Sequence, residues 1–519
     1  MLPSSFLLRF HQLRPSLIKA LDTAPPKKAS DRLHPCLTLA HTSYTASLLN
    51  KLLFRFIMSS TSSSRFDLGD HVQDQDLSEE YLTSSSRDYS AGSSPLTTPA
   101  LSDNEFDFDV PSEDALLEQS STTQAPADGS EKYIMVIGGL GYIGSHTTLE
   151  LLREGHNVIV VDNLSNSYKT VLKNVKMLAA HHCKVNNVSM PRLRFFRIDY
   201  RSKAMHVLLE RYSKLVMTVD ATSGKQVVSY QSQIAGVIHF AAYKSVVESI
   251  QQPLRYYRNN VCGLVNLLQE LERFNIRNFI FSSSATVYGS KANAGLPLKE
   301  EDLVHHQVKT QNEAGETTIV EPTIEGLSCP YARTKFFGEA ILADVAEADP
   351  DWRIVALRYF NPVGCDPSGV LGESPRGEPT NLFPVLTQVL KGDRPELSVF
   401  GSDWPTRDGT AIRDFIHVLD VARGHIAALN WNSKKGNGFS TFNLGSGTGT
   451  TVLEAVRSLE QAAGREIPLA LVDRRPGDVG SCVASTDRAT KELGWTTRES
   501  ITKCAADLWN YVSKVALRS

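Results

Sequence analysis

Tyr331 and Lys335 stand four residues apart in SCPYARTKFFGEAILADVA, a stretch whose apolar spacing predicts a helix. That spacing puts phenol and ammonium on one helix face, one turn apart. An ammonium beside a phenol favours the phenolate. Lowering a tyrosine pKa from near 10 toward neutrality, by about three units, takes roughly 4 kcal/mol of differential interaction. The pair would then serve as a general base near working pH. Ser284 lies near the end of a predicted strand, RNFIFSSSATVYG, where it can hydrogen-bond the same substrate hydroxyl; Ser282 and Ser283 read as structural. Y-x-x-x-K alone is common by chance and gains specificity from what precedes it.

What precedes it is a nucleotide site. Ile134 to Ile137 form an apolar run with the look of a buried parallel strand, followed by Gly138, Gly141 and Gly144 in G-x-x-G-x-x-G spacing and by a helix-like TTLELLREG. Glycines let the backbone turn tightly and the phosphates approach, and the helix start offers free N–H groups and a positive dipole end to a pyrophosphate. The next strand, HNVIVVDN, ends in Asp162, where a carboxylate accepts from an adenosine ribose and disfavours a 2′-phosphate. NAD is therefore expected over NADP, and its oxidised nicotinamide would add a second positive charge near Tyr331.

From Glu131 onward strands and helices alternate, the signature of a parallel sheet with helices on both faces. RLRFFRID, AGVIHFAAYKSV, RNFIFSSSATVYG and WRIVALRYFNPVG read as the third to sixth strands, the third ending at Asp199; PLRYYRNNVCGLVNLLQELERF reads as one helix. Two polar stretches, MTVDATSGKQVVSYQSQ and His305 to Gly326, read as surface insertions. The expected fold class is α/β: a Rossmann-type doubly wound parallel sheet over 131–360, a smaller C-terminal α/β substrate domain over 361–519 with part of 411–435 packing back on the sheet, and a disordered extension over 1–130.

That extension begins basic, with MLPSSFLLRFHQLRPSLIKAL open to two readings: a transit-type amphipathic helix, or an unstructured or upstream segment with a second start at Met58. From Ser59 to Ser130 it is acidic and rich in Ser and Thr, a composition that buries too little apolar surface to order itself. Ser94-Pro95 and Thr98-Pro99 are candidate phosphorylation sites, or parts of an idle solvated tail. A net charge of −3 gives no electrostatic footprint for nucleic acid, and no apolar run is long enough to cross a bilayer. Seven cysteines without a C-x-x-C pair suit reduced thiols and a cytosolic protein, with no metal site expected; the basic N-terminus leaves an organellar copy open.

GGLGYIGSH, VDNLSNS, HFAAYKSVVES, YYRNNVCG, FSSSATVYG, YARTK, LRYFNPVG, NLFP, DGTAIRDFIHVLDVA, FNLGSG and RRPGDV together resemble the extended short-chain dehydrogenase/reductases, and within them the UDP-glucose 4-epimerase family, from about Lys132 to the C-terminus. The resemblance implies a cofactor site in which Tyr142 and Ile143 sit at the pyrophosphate turn, Asp162, Asn163, Asn166 and Ser167 surround the adenosine ribose, and Asp199 and Tyr200 flank the adenine. Phe240, Ala241, Ala242, Lys244 and Asn259 would line the cofactor, Lys335 would contact the nicotinamide ribose, and Phe360 would lie at the nicotinamide end. On the substrate side it implies that Asn361, Asn381, Leu382, Phe400, Arg413, Arg475 and Asp478 hold UDP. Two guanidiniums suit a diphosphate; a structural salt bridge of Arg413 with Asp414 or Asp420 is the competing reading.

The implied reaction is oxidation and then reduction at one carbon. Tyr331 takes the sugar 4-hydroxyl proton while C4 passes hydride to NAD, the 4-keto sugar turns over on its UDP tether, and hydride returns to the opposite face. The family is commonly a homodimer. Ile137 departs from the family's usual Thr before the glycine turn, and both insertions are longer than expected. Cys482 falls beside the sugar C2 substituent, where a small side chain leaves room for N-acetyl groups; an ordinary semi-buried thiol is the competing reading. A UDP-pentose 4-epimerase shares the same residues and stays open. Ala285 and Thr286 supply no carboxylate for a dehydratase. A non-catalytic sugar-nucleotide sensor would need no Ser284, Tyr331 and Lys335.

Overall fold

The computed structural model describes residues 131–219, 226–295, 297–311, 317–435, 438–475 and 478–516. The basic and acidic segments before Glu131, with Ser94 and Thr98, lie outside the described residues.

β1 (Tyr133–Ile137) is buried along its whole length and leads through the glycine turn into α1 (Tyr142–Arg153). β2 (Asn157–Val161), α2 (Lys169–Asn186), β3 (Leu193–Phe196) and α3 (Lys203–Arg211) follow, so the third strand stops short of Asp199. After a hairpin of β4 (Ser213–Val219) and β5 (Gln226–Ser232) come β6 (Ile234–His239), α4 (Val246–Gln251), α5 (Gly263–Arg273) and β7 (Asn278–Ser284). A second hairpin, β8 (Val308–Gln311) and β9 (Thr317–Val320), precedes α6 (Pro330–Ala348) and β10 (Arg353–Tyr359). The remainder is β11 (Asn361–Val363), α7 (Leu382–Lys391), β12 (Leu397–Phe400), β13 (Ile412–His417), α8 (Val418–Lys435), β14 (Gly438–Leu444), β15 (Gly449–Thr451), α9 (Val452–Ala463), β16 (Leu469–Val472), β17 (Ser481–Cys482) and α10 (Ile501–Ala516).

Seven parallel strands form the main sheet in the order β14-β10-β7-β6-β1-β2-β3. Side chains alternate between its faces. Met135 and Ile137 join Leu264, Leu267 and Leu271 of α5 and Leu342 of α6, while Ile134 and Val136 join Leu149 and Leu152 of α1 and Val175 of α2. Burial on both faces is why the strands read as unbroken apolar runs. The chain runs outward from β1 to β2 and β3, then crosses to β6 on the other side. The crevice at this reversal, outside the carboxyl ends of the strands, is where an open α/β sheet binds ligands.

Three elements differ from the sequence reading. The seventh strand, β14, comes from well beyond residue 360. The helix expected over Pro253 to Phe274 is interrupted by a π-helical turn, Tyr257–Cys262. Both insertions contain β-hairpins. In the first, Leu215, Met217 and Val219 alternate with Lys214, Val216 and Thr218, and apolar Val216 masks the period-two signal. A second sheet, β11-β13-β15 with β17 also on β13, and a β12–β16 pair carry the C-terminal side chains, over a core that includes Leu386, Phe415, Leu459 and Leu508.

Candidate active site

The glycine turn is a cradle that side chains would fill. A Cβ on Gly144 would lie 2.2 Å from the Gly138 carbonyl oxygen, and one on Gly138, whose φ is +78°, would lie 2.8 Å from the Ala241 nitrogen. Gly141 begins α1 without a side-chain cap, leaving the first N–H groups of the helix to an anion. Asp162 is buried at the end of β2. Its Oδ2 accepts from the Leu140 N–H at 3.0 Å, and its Oδ1 accepts from the Leu164 N–H at 2.8 Å and the Ser167 hydroxyl at 2.9 Å. From the end of β2, where the sequence reading expected a ribose acceptor, it thus fixes the glycine turn. Asn163 donates to Asp199 at 3.4 Å, and Arg201 grips Asp199 through two nitrogens at 2.9 and 2.6 Å. Tyr200 is buried and donates to the Asn259 carbonyl at 2.6 Å. Ala241 N–H donates to the Ile137 carbonyl at 3.2 Å, Phe240 packs on His425 with ring centres 4.6 Å apart, and Lys244, just beyond Ala242 in the chain, pairs with Glu373 at 3.0 Å. Ile143 packs on the core beneath α1. Cradle, uncapped helix start and carboxylate fit a dinucleotide: the N–H groups at the start of α1 would meet a pyrophosphate and Asp162 would accept from a ribose.

Tyr331 opens α6 behind Pro330, and Ser284 is the last residue of β7, so strand end and helix start converge. The Ser284 hydroxyl lies near enough to the Tyr331 phenol to favour its phenolate form. It also accepts from Thr286 N–H at 3.3 Å and from the Thr286 hydroxyl at 3.1 Å. Lys335 is buried one turn later; its ammonium donates to the Ser282 carbonyl and lies 4.9 Å from the centre of the Phe281 ring. Burial pushes the Tyr331 phenol up to about 12, outweighing the lowering influence of the Ser284 hydroxyl, and pulls Lys335 down to about 7. The expected downward shift of the phenol is therefore absent from the chain by itself. Desolvation disfavours both charged forms, and the positive charge of an oxidised nicotinamide is needed to favour the phenolate.

Behind this pair lies a buried network that the sequence reading missed. Glu339, one turn beyond Lys335, accepts from Arg358 Nη2 at 2.7 Å, from His305 Nε2 at 2.8 Å and from the Ser283 hydroxyl. Arg358 also donates to the carbonyls of Glu300 and Leu303 and to the Tyr288 hydroxyl. Burial raises the Glu339 carboxyl, but the Arg358 guanidinium and His305 overcome it and hold it at about 2. The available signals were an acid four residues after Lys335 and an arginine inside an apolar strand.

The C-terminal segment supplies the opposite wall. Arg413 on β13 is partly buried, and its Nη1 donates at 2.9 Å to the carbonyls of Ile412 and Val479. Asp414 instead accepts from Ser446, Gly447 and Ala484, and Asp420 pairs with Arg423. Among the described residues no carboxylate lies within salt-bridge distance of Arg413, so the competing salt-bridge reading fails. Arg475 lies close enough to help lower the Arg413 pKa, which burial chiefly depresses. Its guanidinium sits 4.3 Å over the Phe400 ring and 3.0 Å from Asp478. Asn361 begins β11, and Asn381 starts α7 with its side chain free of the cap and Leu382 packed on the core. Cys482 on β17 pairs in register with Arg413 and shares a cluster with Ala285 and Phe360, at the junction of both walls. Burial pushes its thiol up to about 11.

A Rossmann sheet with a serine ending one central strand and a tyrosine opening the following helix, together with two neighbouring guanidiniums on the C-terminal segment, fits a nucleotide-cofactor enzyme acting on a phosphate-bearing alcohol. Known proteins narrow this. The NAD dependent epimerase/dehydratase family pattern matches residues 134–445. UDP-glucose 4-epimerase 2 of Arabidopsis thaliana is 41% identical over 382 residues, covering 74% of this chain and 95% of that protein. The bifunctional UDP-glucose 4-epimerase and UDP-xylose 4-epimerase 1 of Pisum sativum is 41% identical over 383 residues, covering 74% and 96%. The crystal structure of UDP-glucose 4-epimerase from Bifidobacterium longum in complex with NAD+ and UDP aligns with TM-score 0.61 at 38% identity, covering 74% of this chain and 98% of that one. The chain belongs to the NAD dependent epimerase/dehydratase family.

Proposed function

We propose that this chain interconverts UDP-glucose and UDP-galactose by inverting C4 of the sugar through a 4-keto intermediate. The observation that carries the reading is the pairing of two sites at one end of the sheet. Ser284 and Tyr331 lie where β7 ends and α6 begins, and Arg413, partly buried and in no salt bridge among the described residues, is linked to that end of the sheet by its register partner Cys482, which clusters with Ala285 and Phe360. NAD, held at the Gly138–Gly144 turn and Asp162, would supply the hydride acceptor and donor for C4. Ser284 orients the 4-hydroxyl, Tyr331 takes and returns its proton, and Lys335 holds positive charge near the phenolate. Arg413 and Arg475 grip the diphosphate while Asp478 takes ribose hydroxyls, so the keto sugar turns over without escaping.

Two further features support finer readings. Val246, Val247, Ile250 and Leu254, around α4, and Phe337 on α6 are exposed apolar side chains on neighbouring helices, which favours a homodimer through the nucleotide domain. The six described cysteines are unpaired thiols, in keeping with the cytosol.

The test is conversion of UDP-galactose to UDP-glucose by the purified full chain with no NAD added. Conversion supports the epimerase and shows that NAD co-purifies. Failure after NAD is added, with turnover of UDP-xylose, moves the assignment to a pentose epimerase; binding without any turnover moves it to a sensor.

A further inference from the structure

We infer that residues 364–376 are a strap that closes the dinucleotide crevice and retains the cofactor. The inference rests on the NAD site described above and assigns retention to residues outside it.

In the sheet β1 lies between β2 and β6, so the glycine turn after β1 is flanked by the loop after β2 on one side and the loop after β6 on the other. The chain leaves β11 and crosses this region. It is first pinned at the phosphate turn, where the Tyr142 hydroxyl donates to the Gly364 carbonyl at 2.6 Å. Buried Asp366 then pairs with Arg153 of α1 at 2.9 Å, and Leu371 is buried in the core cluster that holds Leu140. The strap finally touches both flanking loops. Glu373 pairs with Lys244, after β6, at 3.0 Å. Arg376 Nε donates to the carbonyls of Leu164 and Ser167, after β2, at 3.1 and 2.9 Å. Its own N–H donates to Asn166 Oδ1 at 3.0 Å, and its guanidinium lies 4.3 Å over the Tyr168 ring.

Glu373 and Arg376 are three residues apart and span at most about 10 Å. Within that span they join the two walls of the crevice above the turn that cradles the pyrophosphate. A dinucleotide seated on that turn lies under the bridge, and both links must open for it to leave. Arg376 is exposed and bonds backbone carbonyls rather than core groups, so its removal loosens the bridge without opening the sheet.

The test is the release rate of bound NAD from the full-length holoenzyme, measured by dilution into excess fluorescent etheno-NAD and quantification of displaced NAD. Arg376→Ala is expected to release NAD at least tenfold faster than wild type, and Glu373→Gln to act in the same direction, with the unfolding midpoints of the NAD-free proteins unchanged. Equal release rates from wild type and both variants, all carrying NAD, overturn the strap while leaving the NAD site intact. Faster release with an equally lowered NAD-free midpoint overturns it too, since the residues would then be general scaffold. A wild-type chain that holds no NAD overturns both the strap and the cofactor site.

Discussion

Lys335 lies one helical turn beyond Tyr331, yet its ammonium donates to the Ser282 carbonyl at the end of the neighbouring strand. The side chain that lowers the phenol's pKa is instead Ser284. The lysine thus ties helix to strand, and the strand's serine is the side chain that favours the phenolate.

If Tyr331 carries the proton, Tyr331→Phe should lower the conversion rate by about 10³-fold and Ser284→Ala by about 10²-fold. Bound NAD, counted by absorbance after denaturation, should stay at the wild-type ratio in both. NAD loss parallel to activity loss would assign these residues to cofactor binding instead.

Lys335→Met tests the cost of the buried ammonium. Burial lowers its pKa to about 7, below the usual value near 10.4, so between those values the unfolded chain binds more protons. Stability therefore rises with pH across that window, and the cost is fully present below it. The NAD-free variant should melt several degrees above wild type near about pH 6, with the gap closing toward about pH 10. Conversion should fall even as stability rises.

Glu339 has the opposite sign. Its carboxyl is held at about 2, below the unfolded value near 4.3, so its contribution is present above about pH 4.3 and lost as pH falls through about 2. Glu339→Gln leaves Arg358 buried without its charge partner and should cost about 3–5 kcal/mol at neutral pH. Denaturant titrations should show wild type losing stability more steeply than the variant between about pH 4 and 2.

Cys482→Tyr tests sugar selection. Turnover of UDP-N-acetylgalactosamine should fall at least about tenfold, with UDP-galactose turnover kept within a few-fold, because the larger ring enters the cluster that holds Ala285 and Phe360. Equal losses on both sugars would make Cys482 ordinary packing.

Local patterns in the chain were enough for the strand–turn–helix around Gly138, the acid at Asp162, the serine at the end of β7 and the Tyr331–Lys335 spacing. Each is carried by neighbours within a few residues, where periodicity and turn chemistry act directly. Strand order and the buried network were not readable this way. β14 pairs with β10 across a long connection, and Glu339 meets Arg358 and Ser283 only after helix and strands pack. Their energies depend on desolvation, which no spacing reports. The same physics reversed the expected pKa shift at Tyr331, since helical proximity of two residues says nothing of the low dielectric around them. Residue types and spacing determined which groups are available for chemistry and on which elements they ride. The tertiary structure alone decided which charges lose their water, which partners repay that loss, and how the segment around Arg376 comes to lie across loops some two hundred residues away in the chain.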